Sequence, residues 1–136
     1  MHAAIHTYPV LIKEYFLDTF GHVNNAMYLT LFEDARWDLL TQNGFSLQKI
    51  HESGVGPVIL DIKIRFLKEI RLREEVVITT QCVSYEKKIG IIAHKIMRGD
   101  ELCCSAEITI GLWDLKDRKL ISPTPEWLAA IGMKLS

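Results

Sequence analysis

Several features that announce a function on their own are scarce or missing here. Cysteine occurs only at positions 82, 103 and 104, an odd number with no CxxC spacing. That argues against a disulfide framework and against a structural zinc site, and leaves buried or half-buried thiols as the expectation. Net charge is −1, too balanced to point at nucleic acid or an acidic membrane as a partner. No apolar run approaches the roughly 20 residues of a membrane span. Residues 1–13 lack a basic start followed by an apolar stretch, so no signal peptide is expected and the cytoplasm is the expected location. There is no GxxxxGK phosphate loop and no nucleophile-elbow serine. His2, His6, His51 and His94 show no metal-ligand spacing, so neither a metal nor a cofactor is expected.

What the chain has is apolar periodicity. Its 136 residues, 49% of them hydrophobic, favour one domain over residues 1–136 with a core that needs no staples. Asn25 to about Gln42 is the longest helical pattern, with Asn24 or Asn25 as N-cap and Gly44 as the stop. Met27, Tyr28, Leu29, Leu31, Phe32, Ala35, Trp37, Leu39 and Leu40 spread over more than one stripe. The expectation is therefore a helix wrapped by other structure.

Around it the period is two. Tyr8, Val10 and Ile12 mark an early strand, with Pro9 suggesting a sheet edge or a strand start. A helical turn over Ser46–Ser53 leads to Val58, Leu60, Ile62, Ile64 and Phe66 as one face of a half-buried strand. Further strands are expected over 75–84, 89–98 and 102–112, with a hairpin turn at Gly99. Alternation in the last of these puts Cys104 inward and Cys103 outward. Asp114–Lys119 reads as a turn. Thr124 and Pro125 open a terminal helix running to Met133. Consecutive strands with short links beside one long helix predict an α+β fold, an antiparallel sheet packed on that helix.

The stretch Asp18-Thr19-Phe20-Gly21-His22-Val23-Asn24-Asn25 sets a carboxylate in a loop directly ahead of the helix. Backbone N–H groups at a helix start are aligned donors for a developing oxyanion. Asp18 in this position either caps the turn or acts on a bound carbonyl. His22 either braces the loop or moves a proton, and Tyr28 lines a pocket or packs in the core. A basic face of Lys63, Arg65, Lys68, Arg71 and Arg73, together with Lys87 and Lys88 on a turn, is either solvated surface or a landing place for phosphates.

The pattern Asp18-x-x-Gly21-His22-Val23-Asn24-Asn25-x-x-Tyr28, followed by an apolar helix, resembles the signature of hot-dog thioesterases of the 4-hydroxybenzoyl-CoA thioesterase type. The run Ile62-Lys63-Ile64-Arg65-Phe66-Leu67-Lys68, then Leu72-Arg73-Glu74-Glu75-Val76, looks like that family's second strand and following turn. The similarity in element order covers nearly the whole chain. It implies a hot-dog fold and a homodimer joined sheet edge to sheet edge, with a tetramer as a larger option. It also implies hydrolysis of acyl-CoA at sites shared between subunits.

By position, the resemblance makes Asp18 the catalytic carboxylate and the Asn25 backbone N–H the donor that polarises the thioester carbonyl. Apart from the resemblance, Gly21, His22, Asn24, Tyr28, Arg65, Lys87 and Lys88 are the candidate substrate contacts. Another branch of the fold takes its carboxylate from a helix, which keeps Glu33 open. Phe16 and Phe20 depart from the family pattern. Thioesterases acting on acyl carrier protein, and a non-catalytic acyl-CoA binder, are the alternatives.

Overall fold

The computed structural model describes residues 2–134. The long helix α1 (Asn25–Gln42) starts on Asn24, whose side-chain oxygen accepts the N–H of Ala26 at 2.9 Å. It stops on Gly44, which takes a φ of 81°. There the Gly44 N–H reaches the Thr41 carbonyl at 3.1 Å and the Phe45 N–H reaches the Leu40 carbonyl at 2.8 Å. This is a Schellman stop, a left-handed turn that a residue without a Cβ makes without strain.

The strands β2 (His6–Leu11), β3 (Val55–Phe66), β4 (Glu75–Glu86), β5 (Ile89–Arg98), β6 (Glu101–Asp114) and β7 (Lys119–Ile121) form one antiparallel sheet. Its order is β2-β4-β5-β6-β3, with β7 alongside the end of β6. The expected edge position of the Pro9 strand holds. Two short helices, α2 (Leu47–Ser53) and α3 (Pro125–Ala130), flank the sheet. β1 (His2–Ala3) and β8 (Met133–Lys134) pair separately. No helix among the described residues is long and apolar enough to cross a membrane.

α1 lies over β2 and β4 and buries Tyr28, Leu31, Phe32, Ala35, Leu39 and Leu40. Alternate residues of the strands meet it: Val76, Ile78 and Cys82 from β4, Ile92 and Ile96 from β5, and Ala106, Ile108, Ile110 and Leu112 from β6. Phe32 is wholly buried, and truncating it to Ala would cost about 3–5 kcal/mol.

The sheet wraps α1 as expected, while Leu29 keeps 41% exposure and Glu33 and Asp34 stay open. Tertiary structure corrects the sequence reading in several places. β3 starts at Val55 and pairs with β6 rather than with the next strand in sequence. Leu60 is an extra residue at a bulge, so the pairing steps from Ile59 opposite Ile110 to Asp61 opposite Thr109. The bulge reverses the alternation, as bulges do. The helix-facing residues of β3 are therefore Pro57, Ile59, Ile62, Ile64 and Phe66, while Val58 pairs with Gly111 on the other side.

Cys103 is not outward. It occupies a second bulge between Leu102 and Cys104, and both cysteines are fully buried. Its carbonyl accepts the N–H groups of Leu67 and Lys68 at 2.9 and 3.0 Å. These bonds anchor the segment leaving β3 and account for the break in alternation. The terminal helix ends at Ala130, with Met133 already in β8. A short strand at Lys119 follows the predicted turn.

Candidate active site

The loop ahead of α1 is built from short-range bonds. The Asp18 N–H donates to the His22 carbonyl at 2.9 Å, and the Gly21 N–H to the Asp18 carbonyl at 3.2 Å. Gly21 takes a φ of 84° to close this turn, a conformation that strains residues bearing a Cβ. Asp18 does cap the turn: Oδ1 accepts the Phe20 N–H at 2.8 Å. Its other oxygen, Oδ2, lies 3.2 Å from His22 Nδ1. One carboxylate oxygen is thus held by a backbone N–H, while the ring nitrogen near the other bonds the Val23 carbonyl at 3.4 Å, and the side chain retains 20% exposure.

Bonds from Val23 N–H to the Ile70 carbonyl (2.8 Å) and from Asn24 N–H to the Phe16 carbonyl (2.9 Å) pin the loop to the body of the protein. Asn24 then serves two donors of the first helical turn, Ala26 through its side chain and Met27 through its carbonyl, both at 2.9 Å. The Asn25 N–H is left with no acceptor among the described residues. It stands at the positive end of an 18-residue helix.

Asp18, His22, Asn25 and Tyr28 meet in one cleft of about 540 Å³. Phe20 stands at its rim, 82% exposed, its ring stacked on His22 with centroids 6.1 Å apart. Tyr28 is only 4% exposed, edge-on to Phe66 with centroids 5.0 Å apart. Burial pushes its phenol up to about 12, so the hydroxyl stays protonated and a donor. The opposite wall is Phe66, Leu67, Lys68 and Glu69. Arg98 ties that wall down, donating to the Glu69 carbonyl at 3.0 Å and to the Glu74 carboxylate at 2.9 Å. Its third partner is Glu101, whose carboxyl the Arg98 hydrogen bond holds below the usual range.

Gly21 and Asn24 shape the loop and the cap rather than the cleft wall. Arg65 is exposed on β3, next to Phe66. Lys87 and Lys88 form the β4–β5 turn, at the end of the 12-residue β4 farthest from the Arg98 side of the sheet. None of these three cations lines the cleft. Glu33 is two turns further along α1 and lines a different cavity. No cluster of potential metal ligands exists among the described residues.

Leu67 and Glu69 escaped the sequence reading, because a charged continuation after a strand carries no sign of what it faces. A buried polar group also escaped it. His94 is 1% exposed and Thr80 is fully buried. Arg36 Nη1 donates to His94 Nε2 at 3.0 Å, and His94 Nδ1 lies 3.1 Å from Thr80 Oγ1. An arginine can only donate, so Nε2 accepts and the ring proton sits on Nδ1, shared with Thr80. Burial, with Arg36 beside it, pushes His94 down to about 3. The ring is neutral and stacks on Phe32 with centroids 4.8 Å apart. A signal was present: Thr80 and His94 both fall on the inward parity of their strands, among Ile78, Cys82, Ile92 and Ile96.

The chain is similar to known proteins along most of its length. It is 33% identical over 115 residues to the long-chain acyl-CoA thioesterase FadM of Escherichia coli strain K12, covering 83% of this chain and 86% of that one. A crystal structure of YbaW, a probable thioesterase from Escherichia coli, superposes with a TM-score of 0.81 at 30% identity, over 92% of this chain and 95% of that one. A Staphylococcus aureus DHNA-CoA thioesterase shares the fold, with a TM-score of 0.82 at 22% identity over 93% and 87% of the two chains. The profile of the thioesterase-like superfamily matches residues 12–131. With that match and that fold, the chain belongs to the thioesterase-like superfamily, the hot-dog thioester hydrolases.

Proposed function

We propose that the protein hydrolyses acyl-CoA thioesters in the cleft at the start of α1. The observation that carries this is the unsatisfied Asn25 N–H beside the Asp18 carboxylate. A thioester carbonyl seated on that N–H builds negative charge on oxygen during attack. A fixed donor with a helix dipole behind it stabilises that charge without reorganising. Asp18 either takes a proton from the attacking water or attacks the carbonyl itself, giving a mixed anhydride and expelling the CoA thiolate. The Phe20 N–H positions the carboxylate by holding one oxygen, and His22 stands beside the other. Tyr28 and Phe66 form the first apolar wall for the acyl group. The likeness to FadM supports acyl-CoA as the donor.

Arg65, Lys87 and Lys88 are the proposed contacts for the CoA phosphates. Their absence from the cleft of their own chain fits a site completed by a second copy. β3 is an open edge with Ile59, Leu60, Ile62 and Phe66 each at least 38% exposed, and a second copy paired there would cover them. The assembly is thus a homodimer at least, in a cytoplasmic protein. Sedimentation reads the first and cell fractionation the second.

The deciding experiment measures thiol release from short-chain, long-chain and aromatic acyl-CoAs, and from the same acyl groups on acyl carrier protein. Saturable CoA release is the expected result. Binding of acyl-CoA with no thiol released would make the protein a binder. Faster turnover of the carrier-protein esters would shift the donor.

A further inference from the structure

A second cavity, of about 190 Å³, lies between α1 and the sheet. It is larger than a cavity of about 150 Å³ known to hold benzene. Its walls are mainly apolar, among them Trp37, Leu40, Ile92, Ile110 and Trp127. Glu33 and Ile59 stand where it opens, both exposed in the single copy. Arg36 is the cation on its wall.

Two observations connect this cavity to the catalytic cleft. Ile59 and Phe66 lie on the same helix-facing side of β3, with Ile62 between them 40% exposed. Tyr28, Glu33 and Arg36 follow one another along α1. The cleft and the cavity thus both lie between α1 and β3, the cleft at the start of the helix and the cavity two to three turns further on. Along the helix, Asn25 is about 12 Å from Glu33 and about 16 Å from Arg36. An extended chain advances roughly 1.1–1.2 Å per bond, on the scale of the polypeptide backbone. A tail of roughly ten to fourteen bonds spans that distance.

Arg36 is unusual at such a place. A guanidinium has five N–H donors. Within the described residues only one is used, by His94, and no carboxylate lies within ion-pair distance. A purely hydrocarbon tail would leave the remaining donors facing apolar atoms, which is unfavourable.

We propose that the cavity receives the far end of the acyl chain and that Arg36 binds an oxygen carried there. The preferred substrates are hydroxy- or oxo-acyl thioesters functionalised well away from the carbonyl. Glu33 at the same opening already supplies a negative charge, which favours a neutral oxygen over a second carboxylate. The inference rests on the acyl thioester reading above and adds the class of acyl group.

The test compares kcat/KM for dodecanoyl-CoA and ω-hydroxydodecanoyl-CoA in the native protein, Arg36→Met and Ile59→Trp. The native protein is expected to favour the hydroxylated chain by about tenfold, the scale of one hydrogen bond to a charged group. Arg36→Met should reverse that preference, and Ile59→Trp, which fills the opening, should abolish it. Equal rates in the native protein, or a ratio unchanged in Ile59→Trp, would overturn the inference; so would an unchanged ratio in a folded Arg36→Met. If neither ester is hydrolysed, the hydrolase reading fails separately. Titration of the two intact esters into the native protein then decides the tail preference by the ratio of their affinities.

Discussion

At its first turn α1 presents Asn25 and the Asp18 loop to an open cleft; three turns on, it presents Arg36 to a neutral histidine of β5. In the first group the side chains act on neighbours two residues away, Asp18 on Phe20 and Asn24 on Ala26, and one long-range backbone bond, Val23 to Ile70, pins the loop. The second is held by partners 14 and 58 residues apart. The open group keeps donors and a carboxylate available to a ligand and tolerates water. His94 and Thr80 have lost their water, so the polar atoms of their side chains depend on distant partners being in place. One helix thus carries a locally built site and a globally built one, and they should respond differently to mutation and to pH.

Asp18→Asn gives the largest effect. It keeps the turn's size and removes the charge, and kcat should fall roughly a thousandfold with little change in stability. A rate within a few-fold of the parent would move the catalytic role elsewhere, with Glu33 tested next.

Acid should strike the buried group instead. Native His94 stays neutral down to about pH 3, while an unfolded histidine takes a proton near 6.5. Below 6.5 the unfolded chain therefore binds more protons, and stability falls by about 1.4 kcal/mol per pH unit toward pH 3. Urea unfolding at pH 7 and pH 5 should show this slope in the parent and a shallower one in His94→Gln, which cannot take up a proton. Parallel slopes in the two proteins would remove His94 as the source.

A smaller loss is expected from Asn24→Ala, which frees the Ala26 N–H. The N-cap is worth about 1 kcal/mol, read as a lowered Tm, and Asn24→Asp should restore most of it. Phe20→Ala should be the mildest in stability, within about 0.5 kcal/mol, because so exposed a ring buries little. Any change it makes should appear in KM, and a large drop in Tm would mean the ring braces the loop.

The same contrast separates what was legible in the chain from what was not. The N-cap at Asn24, the stop at Gly44 and the turn at Gly21 are local events, decided by which side chain accepts a nearby N–H and which backbone tolerates a positive φ. They are readable because cause and effect lie within a turn of each other. The strand parities were readable until a bulge intervened. Leu60 and Cys103 each add one residue against a partner strand, and that count depends on a neighbour far away in sequence. The outward reading of Cys103 and the placing of Val58 on one face with Ile62 failed for this one reason.

The chain by itself determined the long helix, its two ends, the loop carboxylate ahead of it and the antiparallel run behind it. Each of these follows from periodicity or from short-range hydrogen bonding. Only the tertiary structure decided that β3 pairs with β6 and leaves its helix-facing side half open. The same holds for the meeting of Phe66 and Glu69 with Asp18 across a cleft, and for Thr80 and His94 becoming the partners of Arg36. Those contacts join segments tens of residues apart, and their geometry is set by sheet register and by the desolvation of polar groups, which no local stretch of sequence encodes.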